Sequence, residues 1–148
     1  MSTGSTRALF VAEPPAAWNL RPPVVVDCSV LAALLWAEPA GSDAAALLAG
    51  KALHAPALLP YELSNVARSK CRSGVPAEVA RAGLQSLADQ RVVLHDTPAL
   101  DSFDVAQKLG LSAYDAAYLW LAAELKAPLV TFDQRLAEAA QRHLDGLE

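Results

Sequence analysis

The chain has 148 residues, with 12 Lys and Arg against 16 Asp and Glu and a formal net charge of -4. Typical domains run to roughly 100–150 residues, so one domain fits and a second does not. The acidic excess excludes a globally basic protein that coats phosphates, but not a nuclease whose metals need carboxylates.

Residues 1–23, with their Ser, Thr, Gly and Pro, read as a loose N-terminal arm, and residues 24–148 as the folded domain. The arm lacks a continuous apolar stretch ahead of a cleavage site, so it does not read as a signal peptide. Val24–Val26 is a β-branched run between Pro23 and Asp27, and reads as a buried strand. Val30–Trp36 carries apolar residues at helical spacing. Ser42 is placed to cap a helix through Ala49, with Gly50 as its terminator. Ala52–Ala55 is a weak strand. Pro60 suits the first turn of a helix to about Ser73, closed by Gly74. Pro76 opens a helix to about Gln90, and Arg91–Leu94 is a strand. Pro98 opens a helix that stops at Gly110, and Ser112 caps the next, which reaches Lys126. Pro128 leads into a strand over Leu129–Phe132, and Gln134–His143 is the last helix. Strands alternate with helices, and the strands are short and apolar. The expected fold class is therefore α/β: three α/β/α layers, with a short parallel sheet of about four strands flanked by helices.

Cys28 and Cys71 have no zinc spacing and make a thin disulfide framework, so both are expected as free thiols in the cytoplasm. The longest apolar runs, Val30–Ala37 and Ala116–Ala123, are too short to span a bilayer.

In open parallel sheets, functional groups gather beyond the carboxyl ends of the strands. Asp27 and Asp133 directly follow two such strands. Glu62 and Asp115 lie in first helical turns, the latter in a Ser112-x-x-Asp115 capping pattern. Taken singly, each acid is explained as a helix cap. Taken together, all four face one rim of the sheet. Like charges at 4 Å repel by roughly 1–4 kcal/mol per pair, so such a cluster calls for protons or a cation. All-oxygen ligands suit Mg²⁺ or Mn²⁺, which makes the chain a candidate metal-dependent phosphodiesterase. Ser29 and Thr131 each sit two residues from a strand-end Asp, where their hydroxyls orient a carboxylate or bond the local backbone. Asn65 lies about one helical turn after Glu62, on the same face.

Four segments carry a family resemblance. Val-Val-Val-Asp27-Cys-Ser29-Val-Leu, Ala-Pro-Ala-Leu-Leu-Pro-Tyr-Glu62-Leu-Ser-Asn65-Val, Leu-Ser-Ala-Tyr-Asp115-Ala-Ala-Tyr-Leu-Trp-Leu-Ala and Leu-Val-Thr131-Phe-Asp133-Gln-Arg-Leu resemble the signature segments of PIN-domain ribonucleases. In detail they are similar to the VapC toxins of bacterial toxin–antitoxin pairs. The resemblance implies that Asp27, Glu62, Asp115 and Asp133 are both the catalytic and the metal-binding quartet, supported by Ser29, Asn65 and Thr131. It further implies Mg²⁺- or Mn²⁺-dependent cleavage of RNA, a homodimer, and inhibition by a cognate VapB-like antitoxin. That antitoxin is expected in an apolar groove, with a basic side chain reaching the acids. The arm before the first Asp is longer than such toxins commonly carry.

Arg68, Lys70 and Arg72 form the densest basic run and are candidates for contact with the RNA backbone, although a solvated helix face accounts for them as well. His54, His95 and His143 have no partner spacing and read as structural or exposed. Asp96 follows a strand and is the best acid outside the quartet. Trp36, Tyr61, Tyr114, Tyr118 and Trp120 read as core or interface residues, with base stacking open to Tyr61 and Tyr114. Two alternatives keep the fold: a metal-bound binding module without catalysis, and a nuclease of RNA processing with no toxin role. An aspartate-nucleophile phosphotransferase ranks last, because Ser29 stands where a second Asp is typical.

Overall fold

The computed structural model describes Phe10, Ala12 and residues 21–147. The expected N-terminal arm therefore lies almost wholly outside the described residues. Four strands form one parallel sheet among those residues: β1 (Pro23–Val26), β2 (Ala52–Pro56), β3 (Val93–His95) and β4 (Leu129–Val130). Their order is β3-β2-β1-β4. The central strand pairs on both sides, with Val25 opposite His54 and Leu129. Val24, Val25 and Val26 are all buried, as a strand between two helical layers requires.

The helices are α1 (Cys28–Leu35), α2 (Gly41–Leu48), α3 (Leu59–Arg72), α4 (Ala77–Gln85), α5 (Ala99–Leu109), α6 (Ala113–Leu125) and α7 (Gln134–Asp145). Contacts divide them into two groups. One links α1 with α2 and α3, and α3 with α4; the other links α5 with α6, and α6 with α7. The sheet lies between them, and the expected three-layer fold is the one found. Leu31, Leu59, Leu63, Tyr118 and Leu121 fill the core. Fully burying a Leu contributes roughly 1.5–3 kcal/mol, which is how short strands hold so many helices. No helix among the described residues is long and apolar enough to cross a membrane.

Several boundaries differ from expectation. Ser42 is no cap: it lies inside α2, whose N-cap is Ala40 without a side-chain bond. The entry to α2 is fixed by close approach, since a Cβ on Gly41 would stand 2.6 Å from the Ala33 carbonyl oxygen. The helix expected to reach Gln90 stops as an α-helix at Gln85 and tightens into a 3₁₀ turn over Ser86–Gln90. There the Ser86 hydroxyl bonds the Gly83 carbonyl, and Arg91 takes a left-handed conformation with φ 52°. The third strand consequently starts at Val93 rather than Arg91. It is an edge strand, with Val93 and Leu94 exposed. His54 and His95 do have partners: each other, Nδ1 to Nε2 at 2.8 Å, tying β3 to β2. Burial first, and the neighbouring His95 second, hold the His54 imidazole below its ordinary pKa.

Candidate active site

The strand order places β1 beside β4 at the point where the sheet's connections diverge. In parallel sheets this switch point opens a crevice beyond the strand ends. Asp27 follows β1 and Asp133 is separated from β4 by Thr131 and Phe132, so both carboxylates reach that crevice. A backbone bond from Asp27 N to the Val130 carbonyl (3.1 Å) joins the two strand ends.

Asp27 is 7% exposed and held on every side. Its Oδ1 accepts from the Ser29 hydroxyl (2.6 Å) and from the Val30 amide (3.2 Å), so it also caps α1. Its Oδ2 accepts from the Thr131 hydroxyl at 2.5 Å. The Thr131 hydroxyl in turn accepts from the Asp133 amide (2.9 Å), and the Ser29 hydroxyl from the Phe132 amide (3.1 Å). These bonds explain why β4 ends at Val130 instead of Phe132: the Phe132 amide is used by the site. Asp133 caps α7 through Arg135 N and Leu136 N. Capping and clustering thus coexist, because a cap occupies only one carboxylate oxygen.

Glu62 and Asp115 enter from the first turns of α3 and α6. Glu62 accepts a 2.7 Å bond from the Tyr118 phenol. Burial pushes the Glu62 carboxyl above the ordinary range; Tyr118 opposes the shift, and Asp115 and Asp27 add to it. Asp115 is raised by burial first and by Asp133 second, with Asp27 adding further and the Ser112 hydroxyl and Arg135 opposing. The four carboxylates therefore feel one another across a single rim. Between them, the Cys28 thiol is pushed up to about 12 by burial, Glu62 and Asp27, and stays protonated. Among the described residues, no three His, Cys, Asp or Glu groups are already drawn close enough to grip an ion. The donor set is nevertheless all oxygen and all acidic, which fits a hard divalent cation.

The remaining expectations divide. Asn65 is exposed beside Glu62 on the same cavity wall. Arg68 and Arg72 are exposed on α3. Lys70 turns to Glu38 (2.6 Å) and lies 5.4 Å from the Trp36 ring centroid, a pairing that ties α3 to the end of α1. Asp96 is exposed. Of the tyrosines expected in the core or at an interface, Tyr118 is core, while Tyr61 and Tyr114 are 77% and 65% exposed and so lie outside the core. Sequence reasoning missed the contact of Tyr118 with Glu62. Its signal was there, since a phenol inside an alanine-rich buried helix must find a polar partner for its hydroxyl.

Against this geometry, the PIN domain family profile matches residues 24–142. The chain belongs to the PIN-domain family. It is 33% identical over 121 residues to Ribonuclease VapC3 of Pyrobaculum aerophilum, a match covering 78% of this chain and 92% of that protein. It is 36% identical to Ribonuclease VapC9 of Mycobacterium tuberculosis, covering 80% and 91%. The crystal structure of PAE2754 from Pyrobaculum aerophilum superposes with a TM-score of 0.65 at 27% identity, covering 85% of this chain and 89% of that one. The PIN domain contains all four acids, and its likeness to VapC ribonucleases spans most of the chain.

Proposed function

We propose that this PIN domain is an endoribonuclease that hydrolyses RNA phosphodiester bonds with Mg²⁺ or Mn²⁺, and acts as the toxin of a toxin–antitoxin pair. The observation that carries the reading is that the carboxylates of Asp27, Glu62, Asp115 and Asp133 influence one another at the switch point, with hydroxyls on Asp27 and Glu62 and first-turn amides on Asp133. The names of its relatives, VapC ribonucleases, support RNA as the substrate. A divalent cation bound by these carboxylates would lower the pKa of water and stabilise charge on the phosphodiester. The chain's own part is to hold the donors in place before the ion arrives. Ser29 and Thr131 fix the Asp27 carboxylate, and Tyr118 fixes that of Glu62. Asp133 is fixed by the first turn of α7.

We further propose a homodimer in the cytoplasm and a VapB-like antitoxin that blocks the acidic rim with a basic side chain. The experiment is incubation of the protein with cellular RNA plus Mg²⁺ or Mn²⁺, with and without chelator. Cleavage is expected only with the ion, and Asp27→Asn and Asp133→Asn are expected to lower it at least about 100-fold, beyond the usual effect of losing an outer-shell partner. Undiminished cleavage by either variant refutes the assignment, and metal binding without turnover on any RNA favours the silent binding module.

A further inference from the structure

Glu62 has a second neighbourhood. Beside it lies an open cavity of about 340 Å³, lined with Glu62 by Tyr61, Tyr114, Leu58, Val66, Cys28 and Asn65. That is within the roughly 300–1,000 Å³ range of small-ligand pockets. The two tyrosines come from different helices, and each immediately precedes an acid of the site. Neither serves the core. On α3 the buried stripe is Leu59, Leu63 and Ala67, while Tyr61 stands 77% exposed, and Tyr114 is 65% exposed on α6. Large rings held in solvent at the mouth of one cavity contribute little to folding and much to contact with something flat.

We infer that Tyr61 and Tyr114 form a stacking subsite for one unpaired nucleobase of the substrate, next to the phosphate that the acids address. The inference rests on the nuclease reading above. Charge selects the occupant. The acids place a negative field across the cavity mouth, which repels a second phosphate or a carboxylate but not a neutral base. Among the described residues Glu62 is the one charged group in the lining, Cys28, Leu58, Val66 and the two tyrosines give it apolar and aromatic surface, and the Asn65 amide offers both a donor and an acceptor to a base edge. Base–aromatic stacking is tolerant of sequence, so the subsite selects for single-stranded over paired RNA.

The test uses a pool of single-stranded octaribonucleotides with central 2-aminopurine and random flanks, whose fluorescence is quenched when the base stacks. Wild-type protein is expected to quench it. Tyr61→Ala and Tyr114→Ala are each expected to lose quenching and to bind roughly 5- to 150-fold more weakly, the usual effect of removing one stacking ring. Tyr61→Phe and Tyr114→Phe are expected to keep both, since the ring and not the hydroxyl stacks. Because both side chains are exposed, the alanine variants should keep the wild-type melting temperature. Quenching and affinity unchanged in the alanine variants overturn the subsite and leave the cavity to a protein partner. Scission of the same pool is scored separately. Quenching that depends on the rings without scission refutes the nuclease reading but keeps the base subsite. Scission with ring-independent quenching does the reverse.

Discussion

Thr131→Val is the most informative single change in the site. The substitution keeps the shape of the side chain and deletes only the hydroxyl, which donates to Asp27 Oδ2 at 2.5 Å and accepts from the Asp133 amide at 2.9 Å. A hydrogen bond to a charged group contributes about 1.5–3 kcal/mol and a neutral one about 0.5–1.5 kcal/mol. Thr131 is half-buried, so water replaces part of what is lost and the low ends apply, giving about 2 kcal/mol in all. Asp27 keeps its bonds to Ser29 and Val30, so the fold survives and the loss falls on the placement of two carboxylates. At 1.4 kcal/mol per decade, about 2 kcal/mol is roughly a 30-fold loss, inside the roughly 10–100-fold range for outer-shell partners of metal ligands. Mn²⁺ affinity by titration calorimetry and kcat/KM on RNA should both fall by that order. Thr131→Ser, which restores the hydroxyl, should recover both. Wild-type affinity and turnover in Thr131→Val would refute the reasoning, and so would a Thr131→Ser variant no better than Thr131→Val, because it would show that the hydroxyl alone does not carry the effect.

Tyr118→Phe removes the one bond that opposes the upward shift of Glu62, so its carboxyl should rise further and the acid limb of kcat/KM should move to higher pH. A carboxyl whose folded pKa lies above its unfolded value loses stability as pH rises between the two, and the variant should deepen that loss; a pH–rate profile with an unmoved acid limb would contradict this. Gly83→Ala tests the packing of α4 on α1: its Cβ would fall 2.1 Å from Trp36 Nε1, whose N–H donates to the Ala80 carbonyl. Alanine gains about 1 kcal/mol of helix propensity but overpacking costs about 1–3 kcal/mol, so a net loss in thermal unfolding is expected, and a raised melting temperature would show that Trp36 yields.

The layers, and the places of the four acids at helix starts, were legible because their signals are local. Val24–Val26 before Asp27, Pro98 ahead of α5, Gly110 at its end and Ser112 at the head of α6 each report a nearby backbone state. What was not legible depends on residues far apart in the chain. Lys70 reads as a free cation until Glu38, 32 residues earlier, is found against it. His54 and His95 become a pair only when β3 lies beside β2. The end of β4 was misjudged because Leu129–Phe132 is uniformly apolar or β-branched, whereas the hydroxyls of Ser29 and Thr131 take the amides that a longer strand would need. Tyr61 and Tyr114 read as core or interface because large rings serve either, and only the geometry takes them out of the core by turning them outward.

The identity of the groups that hold the acids bears on why this rim keeps its charge. Lys or Arg against each carboxylate would fix it equally well, but would also cancel the field that draws a cation. The supports here are the hydroxyls of Ser29, Thr131 and Tyr118 and the amides of helix first turns, all formally neutral. They orient a carboxylate without neutralising it. The cation beside the cluster, Arg135, has its guanidinium bonded to the Gly110 carbonyl at 2.7 Å and only lowers Asp115 as the smallest of its influences. Without the four acids, 12 carboxylates would face 12 Lys and Arg, so the net charge of -4 equals the charge of this rim. Mutual repulsion and burial store that charge at a cost, visible as the raised Glu62 and Asp115. On the proposed reading, a divalent cation held among these acids would offset their repulsion and the charge that burial leaves poorly solvated, so the same strain would favour its binding.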